Sequence, residues 1–230
     1  YYFIVSDKSD ITLALRNISE RGTGIEGNFR NLHGNNNNLR NIDLIYFNDD
    51  DDYKKNYPSN SESRWAFALE DSYGNYKNFW IDVDWSKSSD SLVLRDLPGD
   101  ITSIGNQREQ NLKQNIKINS SLGNFRVQIS QEGYQTLNPI LTNGYKKSPS
   151  IDINYYRNFK NFSLKEHLNF TNFVADNIHG FYGINNIDEF QSLIKNPLEG
   201  SRFFYNLEVS NSTHFNGYKI SSSFGIRGID

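Results

Sequence analysis

The chain has 230 residues, a formal net charge of -3 and a pI of about 5.8, which leaves no basic footprint for nucleic acid. Cys is absent, so neither a disulfide frame nor thiol chemistry is available within the chain. Apolar residues make up 36% and aromatics 14%, with a mean hydropathy of -0.69; no apolar run approaches the roughly 18 residues of a transmembrane helix, although barrel strands alternate and average out as polar.

The first residues are "YYFIV" with no Met before them and no visible signal peptide, so the chain reads as a segment of something longer. Period-two alternation then recurs nearly throughout. Ile11, Leu13 and Leu15 share one face, and Thr12 and Arg16 the other. Ile25 and Phe29 oppose Glu26, Asn28 and Arg30; Ile42, Leu44 and Tyr46 oppose Asn41 and Asp43; Trp65, Phe67 and Leu69 oppose Arg64 and Glu70. Phe79, Ile81, Val83 and Trp85 alternate with Asp82, Asp84 and Ser86. Leu112, Ile116 and Ile118 oppose Lys113, Asn115 and Lys117, and Phe125, Val127 and Ile129 oppose Arg126 and Gln128. The pattern continues through Ile151, Ile153 and Tyr155, through Leu164, Leu168 and Phe170, through Phe203 to Val209, and through Tyr218 to Ile226. These are about eleven strands of roughly 8 to 13 residues. One short helix is expected over Asn186 to Lys195, inside a loop.

A soluble sandwich also alternates, with its apolar face as the core. Link lengths separate the two architectures. After a short first link, "SERG", short and long links take turns: "HGNNNN", then "NDDDDYKKNYPSNSES"; "YGNY", then Lys87 to about Arg108; "SSLGN", then "YQTLNPILTNGYKKSP"; "NFKN", then Ala175 to about Gly200. Up-and-down membrane barrels sort loops this way, with tight turns at one end and long loops at the other. The expected fold is therefore all-β, an antiparallel up-and-down meander forming part of a large transmembrane β-barrel. Its polar face is expected to line a lumen and to carry charge and Asn along whole strands. Glu26, Asn28, Arg30, Asp43, Arg64, Asp82, Asp84, Lys113, Lys117 and Arg126 are the lumen-facing residues. The Gly74 to Tyr76 turn is expected to set Phe67 against Val83 and Leu69 against Ile81. That register makes Trp65 and Trp85 cross-strand neighbours in an aromatic girdle.

The carboxylates Asp82 and Asp84 lie about 7 Å apart on one face of a strand, which invites comparison with a hydrolytic acid/base pair. Such a pair needs a shaped pocket and separated pKa values; basic neighbours Lys113, Lys117 and Arg64 on adjoining strands favour a wall of interleaved charges. "NDDDDY" (Asn48 to Tyr53) offers oxygens for Ca²⁺ but lacks the spaced glycine of a loop site, and reads as solvated loop. His33, His167, His179 and His214 have no ligand spacing. There is no G-x-S-x-G and no P-loop. No metal, cofactor or catalytic residue is expected.

Longer strings carry a family resemblance. "YYFIVSDKSDITLALRNISERGTGIEGNFRNL" resembles the start of the barrel in the LptD (organic-solvent-tolerance) family of lipopolysaccharide-assembly proteins, through Tyr1, Tyr2, Asp10, Thr12, Leu13, Arg21, Gly22, Gly27, Phe29 and Arg30. "SRWAFALEDSYGNYKNFWIDVDWSKSSDSLVLRDL" is similar to the family's Arg-Trp hairpin and the Ser-Asp…Arg-Asp loop that follows it, here Arg64, Trp65, Ser89, Asp90, Arg95 and Asp96. "YQTLNP", "YKKSP" and "EGSRFFYNLEVS" follow in the family's order.

The resemblance implies outer-membrane insertion of lipopolysaccharide into the outer leaflet through a lateral barrel opening. It implies an LptE-like plug lipoprotein, an LptA-like periplasmic bridge acting through an N-terminal jellyroll, and contact with outer-membrane lipids. The chain would be the N-terminal portion of the barrel, without the jellyroll and the C-terminal barrel half. The strand Asp10 to Ile18, as first barrel strand with a free outer edge, would form one side of the opening. Asp10, Ile11, Thr12, Leu13, Leu15 and Arg16 are the expected lipid path, with Thr12 and Arg16 at the head group and Leu13 and Leu15 at the acyl chains. Leu15 stands where family members often carry a proline that weakens the seam. Competing readings are a porin-like or fatty-acid channel, an outer-membrane hydrolase using Asp82, Asp84 or Asp90, and a soluble β-sandwich binding module.

Overall fold

A computed structural model describes residues 1–34, 38–75, 78–102, 104, 111–138, 143–175, 199–216 and 218–230. The strands are β1 (Tyr2–Ser6), β2 (Ser9–Ile18), β3 (Gly22–His33), β4 (Asn38–Asn48), β5 (Arg64–Asn75), β6 (Phe79–Ser88), β7 (Asn111–Leu122), β8 (Phe125–Thr136), β9 (Tyr145–Phe159), β10 (Phe162–Ala175), β11 (Gly200–Phe215) and β12 (Tyr218–Ile229). Two short helices, α1 (Asp51–Asn56) and α2 (Val93–Asp96), follow β4 and β6. All twelve strands join one antiparallel sheet in chain order, with β1 and β12 at its edges. The up-and-down order follows from tight turns between strands that alternate apolar and polar side chains, since sequence neighbours then pair face to face. The links after β4, β6, β8 and β10 are the long ones, and all leave the same end of the sheet. The expected helix at Asn186 to Lys195 lies outside the described residues. No described helix is long and apolar enough to cross a membrane.

The strand beyond the expected eleven is β1. "YYFIV" is a continuous apolar run, so period two does not reveal it. It pairs with β2 through Tyr2↔Thr12, Phe3↔Ile11 and Ile4↔Asp10, then shifts register before Ser6↔Ser9. The strand Asp10 to Ile18 is therefore not the first of the sheet.

The β5–β6 register also differs from expectation. Phe67 opposes Lys87, and Leu69 opposes Trp85. The reason lies at Gly74. This residue stays inside the ladder opposite Trp80, with φ of +111° and the Phe79 carbonyl so close that a Cβ would sit 2.3 Å from its oxygen. The hairpin closes later, after Asn75↔Phe79. The shift is an even number of residues, so both tryptophans keep the apolar face, but Trp65 lies opposite Tyr46 of β4 rather than Trp85.

On the polar face, Glu26, Ile45, Ala66 and Ser88 align across β3 to β6. Here the expectation of charge along whole strands is corrected. At the long-loop end of β4 and β5 the polar-face positions are Ile45, Phe47, Ala66 and Ala68, all buried. The loop after β6 covers them with Val93, Leu94, Leu97 and Ile104, and Leu112 completes the cluster. Each fully buried side chain of this size stabilises by about 1.5–3 kcal/mol. The link is thus folded back onto the sheet instead of standing in solvent.

Candidate functional site

The site is the loop-covered part of the polar face, between β2 and β6. Arg64, the first residue of β5, is completely buried. Its Nε and Nη2 donate to the two oxygens of Asp90 at 3.0 and 2.8 Å, a bidentate pair. Its Nη1 donates to Asp50 at 2.8 Å and to Asp96 at 3.2 Å. The guanidinium also lies 3.9 Å from the centre of the Tyr53 ring. A buried cation is tolerated only with such pairing.

The three acids belong to two different long links, so one arginine ties both to the sheet. Asp50 also caps α1, accepting from the Tyr53 backbone N–H at 3.0 Å. Arg21, in the β2–β3 turn, donates to Asp52 at 2.9 Å and to Asp50 at 3.3 Å. Two of the acids of "NDDDDY" weighed as calcium ligands, Asp50 and Asp52, are thus engaged by guanidinium groups. No group of three or more His, Asp or Glu among the described residues is arranged to hold a metal. Asp90 further accepts from the Leu92 N–H at 2.9 Å and the Ser89 hydroxyl at 2.8 Å.

A second latch lies deeper in the sheet. Glu26, fully buried, accepts the backbone N–H groups of Asp100, Ile101 and Thr102 at 3.0, 2.8 and 2.8 Å, and the Thr102 hydroxyl at 2.9 Å. Arg16 on β2 donates to the Pro98 carbonyl at 2.7 Å and pairs with Asp100 at 3.3 Å and Glu26 at 3.5 Å. Gly99 makes this fit possible: a Cβ there would lie 2.4 Å from Thr102 Oγ1 and 2.8 Å from Glu26 Oε1. A third tie replaces part of the ladder. Pairing of β6 with β7 ends at Trp85↔Gln114. Beyond it, the Gln135 side chain of β8 accepts from the Ser88 N–H and donates to the Ser88 carbonyl, each at 2.9 Å.

The remaining expected residues lie where alternation put them. Asp82 opposes Lys117, and Asp84 bonds Lys113 at 2.5 Å. Asp43 is buried and accepts from Asn28 at 2.6 Å and Asn41 at 3.2 Å. Arg30 pairs with Asp10 through 2.9 and 3.1 Å bonds. Arg126 is exposed on the same face, opposite Asn154. Thr12 opposes Asn28 there, while Ile11, Leu13 and Leu15 take the apolar face with Phe29, Gly27 and Ile25. Of the two residues expected at the head group, Thr12 and Arg16, Arg16 is the one held by the loop after β6, with a side chain only 13% exposed.

The outer edge of β2 is divided. Tyr2–Ser6 pairs along Ser9 to Thr12, and Tyr1 exchanges two backbone bonds with Leu13, at 2.7 and 2.8 Å. Ala14 to Ile18 have β3 on one side and no described strand on the other. Leu15 is 72% exposed. Sequence reasoning missed Asp50, Tyr53, Asp100, Thr102 and Gln135 as members of the site. The available signal was a strand-initiating arginine flanked by acid-bearing long links, Asp49 to Asp52 before it and Asp90 and Asp96 after it.

The family model described as "LptD: LPS transport system D" matches residues 62–229, from the turn before Arg64 to the end of β12. The chain belongs to the LptD family. An LPS-assembly protein LptD of Pseudomonas aeruginosa (strain LESB58) is 27% identical over 151 residues, covering 66% of this chain and 16% of that protein. Its counterpart in Pseudomonas putida (strain GB-1) is 26% identical over 153 residues, again 66% of this chain and 16% of the relative. The protein of the same name in Aliivibrio fischeri (strain ATCC 700601 / ES114) is 28% identical over 152 residues, 66% of this chain and 18% of the relative. The chain thus spans under a fifth of the length of these relatives. The family is described as a transport system, which favours transport over the hydrolase reading of Asp82, Asp84 and Asp90. The Arg-Trp and Ser-Asp…Arg-Asp strings that resembled the family are, in this chain, the two halves of the Arg64 latch.

Proposed function

We propose that the chain is the N-terminal part of an outer-membrane barrel that inserts lipopolysaccharide into the outer leaflet. In this reading the polar face lines the lumen and the apolar face meets outer-membrane lipids. A periplasmic jellyroll precedes the chain in the whole protein and receives lipid from an LptA-like bridge. Further strands follow it, and an LptE-like lipoprotein occupies the lumen.

The observation that carries the reading is the edge of an LptD-family sheet: a two-faced, open meander in which β1, short and register-shifted, pairs with only part of β2. A seam there can open without breaking ladders elsewhere. An amphipathic lipid passing it keeps its sugars beside Asp10 and Thr12 and its acyl chains beside Ile11, Leu13 and Leu15. Leu15 keeps its backbone N–H, so the weak point of the seam is β1 itself and not a missing donor in β2. Arg16, held by Pro98, Asp100 and Glu26, connects β2 to the loop over the polar face, so that movement of one is felt by the other.

The test is a photo-crosslinker scanned through Asp10 to Ile18 in the full-length protein during transport. Adducts with lipopolysaccharide are expected there and not in a mid-sheet strand such as Phe125 to Ile129. Equal labelling of both strands, or undiminished transport with the seam locked by an engineered disulfide, overturns the proposal.

A further inference from the structure

On the apolar face, at the long-loop end of β5 to β9, the side chains change character. Lower on the same face are Ile81 and Val83 of β6, Ile116 and Ile118 of β7, Val127 and Ile129 of β8, and Ile151 and Ile153 of β9. Above them opens a groove of about 680 Å³ whose lining includes Trp65, Trp85, Lys87, Gln114, Gln131 and Lys146. Among the described residues, no acidic side chain lines it. This sets it apart from the groove on the polar face, where Lys117, Lys147 and Arg202 are interleaved with Glu132 and Asp152. On β2 to β4 the same face ends at the long-loop side in a neutral polar row, Asn17, Thr23 and Asn48, which carries no lysine.

We propose that this groove is a head-group site for a phosphorylated glycolipid of the outer leaflet. The chemistry matches part by part. Lys87 and Lys146 supply cations for phosphate. Gln114 and Gln131 supply amides for sugar hydroxyls and carbonyls. Trp65 and Trp85 offer faces for sugar rings and suit the membrane–water interface. The isoleucine and valine wall directly below takes acyl chains, which commits the site to a lipid and not to a free phosphosugar. The site is distinct from the β1–β2 seam: it lies across the middle strands, and on the outside of the wall. It would hold a resident or newly delivered lipid against the protein. The inference rests on the reading that the apolar face meets the bilayer.

The experiment uses the full-length protein in nanodiscs that contain phosphorylated lipid A glycolipid, its dephosphorylated form, or phosphatidylglycerol. One photo-crosslinker stands at Gln131 in the groove and another at Ile118 on the wall below. Adducts at Gln131 are expected with the phosphorylated glycolipid. They should fall about fivefold for each of Lys87→Gln and Lys146→Gln, the weight of one cation near an anionic lipid surface, and recover with Lys87→Arg and Lys146→Arg. Retention of heat-modifiable mobility by each variant shows that it still folds. Labelling at Gln131 that ignores the lysines, or that is equal with phosphatidylglycerol, overturns the site while leaving the membrane reading intact. Absence of any lipid adduct at Ile118 overturns both.

Discussion

The two halves of the sheet treat the same polar face differently. Over β3 to β6 the face is roofed by the links that follow β4 and β6, and Glu26, Asp43, Arg64, Ile45 and Phe47 are buried beneath them. Over β9 to β12 the described face is more open, apart from buried Ser150 and Thr171, and its charges pair side by side along the strands: His167 with Asp152 at 3.1 Å, Lys165 with Glu208 at 3.8 Å. The difference is one of dielectric as much as of geometry. Charges under the loops have lost water and must be satisfied completely. Charges on the open half keep water, and their pairing contributes little. The sheet thus holds one latched region over β3 to β6 and one more open region over β9 to β12.

The sharpest way to break this contrast is Arg64→Ala. It would leave Asp90 without its cation, and Asp50 with Arg21 alone, at a cost of about 3–5 kcal/mol. Limited proteolysis should then cut within Ser89 to Thr102 while sparing β9 to β12. Uniform protection would mean that apolar contacts alone hold the loop. Next in size is Glu26→Ala, which removes the acceptor of three N–H groups and a hydroxyl. Hydrogen bonds to a charged group contribute about 1.5–3 kcal/mol. Hydrogen exchange should speed up at Ile101 and Thr102 and stay unchanged in β10 and β11. Gly99→Ala should act in the same direction through overpacking, by about 1–3 kcal/mol, read by the same exchange measurement. At the small end, Lys165→Ala on the open half should change unfolding free energy by less than about 1 kcal/mol. Raising the salt should erase even that difference, because exposed pairs are screened. A larger, salt-resistant effect would show that the open half is covered in the whole protein.

The alternating residues of β2 to β12 were legible in order and in face, because a strand's side chains must alternate whatever its neighbours do. Asp82, Asp84, Lys113 and Lys117 could be assigned to one wall on that ground. Three features were not legible. β1 is a continuous apolar run, which a strand and a buried helix segment share. The β5–β6 register depended on Gly74 staying in the ladder, and a glycine reads equally well as a turn. The latch depended on residues far apart in the chain: Arg16 and Glu26 meet Pro98 to Thr102, and Arg64 meets Asp50 and Asp90.

Local sequence therefore determined the all-β meander, its two faces and the sorting of its loops, since each follows from the two-residue period and the length of each link. Only the tertiary structure decided that two of those loops turn inward. That choice belongs to no single segment. It requires apolar side chains on the polar face of β4 and β5, an arginine at the start of β5, and acids on both links, all brought within bonding distance by the sheet. The free energy of burying them comes from the assembled site and from no part of it alone.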